Sequence, residues 1–274
     1  MSVSAGEAHL PRPVALAALV ALAWAGLVVL RLTAPTDLMT GDQEHPAGYI
    51  MDAVSNGHWI CQRDDLGQVT SKPPFYTWVA ALPTMAFGRI NRFALGFPSI
   101  LAMLLTAWTL LAVGARAFGR AAGMWAGLFY MLSLPGLRHA TLARTDALFT
   151  FLVLLCSLAA FRAWQRGRGW TWFWAAAAAA TLTKGPLAVV LAGSGLLAAF
   201  WEKRSGRPAP VRGSHLVGVV LFLALTSSWY LAAHLGTDGD AFDKIIREEL
   251  IGHAARSASG RVPVTARMYS PGAC

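Results

Sequence analysis

Apolar runs of roughly 15–22 residues recur along the whole of this 274-residue chain, and no other feature limits its fold as strongly. They cover Val14–Leu32, Phe93–Ala115, Ala121–Pro135, Asp146–Trp164, Trp170–Thr183, Pro186–Trp201 and Leu216–Leu235. In hydrocarbon every backbone N–H and C=O must be satisfied internally, so open runs of this kind are helices. Charged residues make up only 14% of the sequence, against roughly 25% in a soluble domain. The expectation is an all-α polytopic membrane protein.

The net charge of +9 raises nucleic-acid binding as a function. The distribution of the charge excludes it. The basic residues lie in short linkers: Arg12, Arg116–Arg120, Arg162–Arg168, and residues 202–212 with Lys203, Arg204, Arg207 and Arg212. The positive-inside rule accounts for them and places those linkers in the cytoplasm. The acids gather in the other linkers, with Asp37, Asp42, Glu44, Asp52, Asp64 and Asp65 between the first two runs.

This alternation decides the status of one further apolar stretch, Phe75–Phe87. If it crossed the membrane, Arg116–Arg120 and Arg162–Arg168 would both fall outside. Its 13 or so residues rise only ~20 Å, short of the ~30 Å core. It is therefore read as an interfacial helix, with Phe75, Tyr76 and Trp78 suited to that depth. About seven helices then cross, and the outer loop spans residues 33–92. A transmembrane core of residues 1–235 is followed by a polar outer segment, 236–274, whose end lacks periodicity and is expected to be poorly ordered. The first run is too long for a signal-peptide core and reads as a retained anchor. Cys61, Cys156 and Cys274 show no metal-site spacing, and no disulfide is expected.

Two outward turns should be sunken, because the helices flanking them are short. These are residues 136–146, with Arg138, His139, Arg144 and Asp146, and Thr183-Lys184-Gly185-Pro186. Charge at that depth has to line a protein cavity. Asp42, Glu44, Lys72, Asp146 and Lys184 are thus candidates for one outward-facing site. Each also has a plainer explanation. Asp42 and Glu44 precede Pro46–Asn56, a candidate short helix, and suit its dipole. Lys72, ahead of Pro73-Pro74, is either a lysine snorkelling to headgroups or a charge held on rigid backbone for a phosphate. Asp146 next to Thr145 could act within an N-cap. For Lys184 at a sunken turn the plain reading is weaker, since an unpaired cation there is costly. Glu248 and Glu249 read as a solvated helix face.

Four segments taken in order carry a family resemblance: Asp42-Gln43-Glu44 after the first run, Ser71-Lys72-Pro73-Pro74-Phe75-Tyr76-Thr77-Trp78, Arg144-Thr145-Asp146-Ala147-Leu148-Phe149, and Leu182-Thr183-Lys184-Gly185-Pro186. Together they resemble the C-type membrane glycosyltransferases, in particular the lipid A aminoarabinose transferases and protein O-mannosyltransferases, over about residues 14–250. The resemblance implies an inner-membrane enzyme that takes a sugar from a polyprenyl-phosphate carrier on the periplasmic side and gives it to a lipid, glycan or protein acceptor. It implies Asp42 as the base with Glu44 beside it, Lys72 and Lys184 on the carrier phosphate, and Asp146 as a second acidic site near a divalent metal in some relatives. One departure is His45-Pro46 directly after the acidic pair. Another is length: members of the family continue for hundreds of residues, so a truncated copy or fragment is expected. The alternatives from other classes are a non-catalytic remnant and a lipid-binding or transport protein. Transporters commonly show repeated halves, and none is evident here.

Overall fold

The structure is a computed structural model that describes residues 13–34, 41–64, 67–70, 72–139, 142–185, 187–191, 193 and 213–237. It is all-α, with no strand among the described residues and a single isolated bridge between Arg63 and Val69. The helices are α1 (Pro13–Thr33), α2 (Gly41–Asn56), α3 (Phe75–Phe87), α4 (Arg92–Phe118), α5 (Arg120–Leu132), α6 (Leu134–His139), α7 (Thr145–Arg166), α8 (Trp170–Lys184) and α9 (Leu216–Gly236). Among the described residues four helices, α1, α4, α7 and α9, are long and apolar enough to cross a membrane. Helices α5 and α8, at 13 and 15 residues, are shorter than the ~20 that a full crossing takes.

The bundle has two chemically distinct ends. At one, which we term the arginine end, α4 hands over to α5 between Arg116 and Arg120, and α7 to α8 between Arg166 and Trp170. The other, the carboxylate end, holds α2, α3 and the start of α7. The ends of α1 and α4 are tied there: Arg92 Nη1 donates to the carbonyls of Leu32 (2.9 Å) and Ala34 (2.8 Å), which have no helical amide to accept. Between the ends, α1, α4 and α5 bury Leu16, Val20, Met103, Ala107, Leu111 and Met131 against one another. Helices α4 and α5 meet backbone to backbone. A Cβ on Gly123 would lie 2.4 Å from the Leu111 carbonyl oxygen, so the small residues set this approach. Helices α7 and α8 pack through Cys156, Ala160, Ala163, Trp170, Phe173 and Ala177.

Helix α3 keeps both of its termini at the carboxylate end. Near its start, Tyr76 bonds the Leu95 carbonyl in the first turns of α4 (3.1 Å), and at its finish Phe87 packs edge-on against Phe93 (6.1 Å). It therefore lies across the end of the bundle rather than through it. Its limits coincide with those expected from sequence. Most of the expected crossing Pro186–Trp201 falls outside the described residues; its described part, residues 187–191 and 193, is helical. Residues 238–274, including Glu248, Glu249 and Cys274, also lie outside them.

Helix α2 differs from expectation. It begins at Gly41 rather than Pro46, so Pro46 sits inside it and Asp42 and Glu44 belong to its first turn. A proline this near the N-terminus removes one intrahelical hydrogen bond and leaves the later turns intact.

Candidate active site

At the carboxylate end, α7 starts with Thr145 and α8 finishes with Lys184. Arg144, with extended backbone (φ −135°, ψ 143°), precedes α7, and Asp146 lies in its first turn, where the helix dipole favours a carboxylate. Gly185 ends α8 at φ 85°, ψ −169°, a conformation essentially reserved for glycine. The chain therefore turns sharply straight after Lys184 and holds its side chain at the end of the helix.

Lys184 Nζ donates to Asp146 Oδ1 at 2.5 Å, and Arg144 Nε faces Asp146 Oδ2 at 3.2 Å. Lys184 also sits over the Phe149 ring, 5.8 Å from its centroid. The side chains of Lys184 and Asp146 are 32% and 28% exposed, so the pair is partly withdrawn yet still open to a ligand. Among the described residues two cations face this one carboxylate, and the three side chains together carry a formal +1.

The loop that carries this group is anchored from α3 and α4. Ser99 Oγ lies 2.7 Å from the Leu142 carbonyl and 3.0 Å from that of Arg144, and Tyr76 Oη bonds Ser99 Oγ (3.3 Å) and Leu142 (3.4 Å). Both side chains are buried. Burial pushes the Tyr76 phenol up, beyond the usual range for the group, so it stays protonated and donating. Ser99 is seven residues into α4, which starts at Arg92, so the 142–144 turn sits ~10 Å below the top of that helix. The turn is sunken, as the short α5 requires.

Lys72 arrives at the same end by a different route. Residues 62–64 and 67–70 pair closely, with Thr70 N bonding the Gln62 carbonyl (2.8 Å) and Asp64 Oδ1 accepting from Gln68 N (2.8 Å). Thr70 Oγ1 then bonds both the amide (3.1 Å) and the carbonyl (2.9 Å) of Lys72. Pro73 and Pro74 are buried. Pro74 is not extended but caps α3 at φ −88°, ψ 1°. Phe75, just beyond, packs in one cluster with Ala143, Ala147 and Phe149 of α7 and its approach, and with Ala180 of α8. Lys72 is thus three residues from a side chain that touches the surroundings of Asp146 and Lys184. Among the described residues its ammonium has no ion-pair partner.

The acidic turn of α2 lies beside these paired segments. His45 Nδ1 lies 3.0 Å from Asp64 Oδ2, a carboxylate only 1% exposed. Ala47 and Ile50, on the same helix, enter the Phe75 cluster. Glu44 is exposed, and the Asp42 side chain is outside the described residues. So are the side chains of Arg138 and His139. Farther along, Asp52 accepts from Asn56 Nδ2 (2.7 Å) and the Arg63 amide (2.7 Å) and pairs with His58 (3.0 Å). Burial alone would raise the Asp52 carboxyl, but these hydrogen bonds outweigh it and hold the group below the usual carboxylate range. Cys61 is a free thiol whose pKa is raised by burial.

The described groups around Asp146 do not by themselves make a divalent-metal site. Both of its oxygens face cations, and among the described residues no three His, Cys, Asp or Glu side chains cluster as ligands. Sequence reasoning did not single out Arg144, Tyr76 or Ser99 as members of the site. Arg144, two residues before Asp146, was open to inference from the Arg-x-Asp spacing. The other two act through backbone carbonyls, which leave no trace in sequence.

The model of a family described as dolichyl-phosphate-mannose-protein mannosyltransferase matches residues 71–231. The fold is similar to that of ArnT from Cupriavidus metallidurans bound to undecaprenyl phosphate, with a TM-score of 0.65 and 22% identity over 86% of this chain and 43% of that one. The apo state of the same protein gives a TM-score of 0.66 and 20% identity over 88% and 48%. The chain therefore spans a little under half the length of those structures. No curated protein matches it.

Proposed function

Because the chain belongs to the dolichyl-phosphate-mannose-protein mannosyltransferase family, we propose that it carries the active site of a membrane glycosyltransferase that draws its sugar from a polyprenyl-phosphate carrier. It is an integral, multi-pass membrane protein. The positive-inside rule puts the arginine end in the cytoplasm and the carboxylate end outside, at the periplasmic face of the inner membrane. Counted with the short helices α5 and α8 and with the expected span Pro186–Trp201, which lies largely outside the described residues, the proposed crossings number about seven.

One observation carries the reading. Lys184, Arg144 and Asp146 form a sunken group with a formal charge of +1, and Phe75, three residues after Lys72, packs in the apolar cluster that holds Ala147, Phe149 and Ala180. A cationic group below the membrane surface suits a lipid-borne phosphate. Lys72, which has no ion-pair partner among the described residues, takes the carrier phosphate. Lys184 adds to the positive field while Asp146 fixes its position. ArnT, whose fold is shared, has been crystallised with undecaprenyl phosphate, and this supports a carrier of that chemistry.

The reaction is a single displacement. Asp42 accepts the proton of an acceptor hydroxyl as its oxygen attacks the anomeric carbon. The bond from that carbon to the phosphate oxygen breaks, and its electron pair leaves with the polyprenyl phosphate. The lysines stabilise the charge that develops there. Attack and departure on opposite faces invert the anomeric configuration. Glu44, in the same helical turn, orients the acceptor. No step is routed through a metal. Glycosyl transfer in membranes carrying the chain, compared with Asp42→Asn and Lys72→Ala, tests the scheme. Loss of transfer in both supports it, and near-native rates in both overturn it.

A further inference from the structure

At the arginine end, a cavity of about 790 Å³ opens between α4, α7 and α8, on the opposite side of the bundle from the candidate active site. Arg116, Arg162, Arg166 and Arg168 ring its mouth, and all four are exposed. Every described acidic side chain lies toward the carboxylate end, so no described carboxylate neutralises them. Below the arginines the walls are apolar, with Leu105, Leu152 and Leu155 at the deep end. Trp172, 76% exposed, stands at the rim, at the depth where indole rings favour the membrane interface. From Leu105 to Arg116 the cavity follows α4 for ~16 Å, and from Leu152 to Arg162, the first arginine on that wall, it follows α7 for ~15 Å, with Arg166 one turn farther out. Half of a ~30 Å hydrocarbon core is about the same. The slot thus runs from the arginine end to mid-membrane, which is the depth of one leaflet.

Topology alone explains arginines at this end, but not an apolar slot one leaflet deep beneath them. The geometry points to a binding site for an anionic diacyl phospholipid of the cytoplasmic leaflet. The phosphate lies among Arg162, Arg166 and Arg168, and an acyl chain runs down the slot between α4 and α7. Guanidinium groups match phosphate oxygens in geometry as well as charge. The chain's own residues 202–212 make a poor occupant, because Lys203, Arg204, Arg207 and Arg212 would meet like charge. The leaflet assigned rests on the orientation proposed above. The site itself does not depend on the catalytic reading.

The test is native mass spectrometry of the full chain released from nanodiscs made of equal parts phosphatidylglycerol and phosphatidylcholine. One phosphatidylglycerol should stay bound in preference to phosphatidylcholine. Arg162→Gln with Arg166→Gln should weaken its retention roughly 30-fold, taking each arginine at its usual worth near an anionic surface. Leu155→Trp, which fills the slot and keeps every arginine, should also lose it. Undecaprenyl phosphate added in excess should not displace it. Equal retention of the two lipids, full retention in either variant, or displacement by undecaprenyl phosphate would each overturn the proposal. A second copy of the chain in place of lipid would do so as well. Failure here would leave glycosyl transfer untouched, and failure of glycosyl transfer would leave this lipid bound.

Discussion

Lys184 and Asp146, 38 residues apart in sequence, meet at 2.5 Å where α8 ends and α7 begins. Neither is placed by its own segment alone. Gly185 turns the chain after the lysine, and Ser99 holds the loop before the aspartate. Removing one partner should leave the other charge partly desolvated, and removing both should relieve much of that cost. We expect Asp146→Asn and Lys184→Met to be non-additive in thermal unfolding, with a coupling of about 1–3 kcal/mol. Additive losses would show that the pair is not a unit.

Ser99 and Tyr76 should differ in their effect on the sunken turn. Ser99→Ala withdraws the hydroxyl nearest to the carbonyls of both Leu142 and Arg144, at a buried position. A cost of about 1–3 kcal/mol follows from leaving buried acceptors short of donors. Tyr76→Phe leaves Ser99 in place, and should cost about 1 kcal/mol. Unfolding midpoints of the two variants in one detergent check the order, and the reverse order would contradict the assignment.

The Asp52 network gives a signed dependence on pH. Its folded pKa lies below its unfolded value, so its contribution is fully present above the unfolded carboxylate range near 4. The contribution is lost as pH falls through the lower folded value. Stability should therefore decline on the acid side more steeply in the wild type than in Asp52→Asn, which starts lower. Thermal unfolding between about pH 6 and pH 3 distinguishes the two. Parallel curves would mean that the hydrogen bonds from Asn56 and Arg63 do not act on the charge.

Much of this layout could be read from the sequence, because it follows from the lengths of apolar runs and the sign of the linkers. The limits of α3 follow from thirteen apolar residues between Pro74 and Gly88, and its failure to cross follows from where the arginines fall. The depth of the 142–144 turn was implied by the shortness of α5. The start of α2 was misplaced because Pro46 resembles a first helical residue, whereas the chain is already helical from Gly41. The route by which Lys72 joins the site depends on paired segments held by Asp64, Gln68 and Thr70. Polar side chains bonding nearby backbone leave no periodic signal. The lipid slot was hidden for a related reason: each arginine was already explained by topology, and only the packing of α4, α7 and α8 shows the space beneath.

Lys72 carries the central claim. Its place beside the Phe75 cluster and its lack of a partner among the described residues make it the group assigned to the carrier phosphate. The most direct measurement is the affinity of the detergent-solubilised chain for undecaprenyl phosphate, in wild type, Lys72→Ala and Lys72→Arg. A charge-assisted hydrogen bond of about 1.5–3 kcal/mol predicts binding weakened roughly 10- to 150-fold by alanine and partly restored by arginine. Equal affinity in all three proteins would contradict the account.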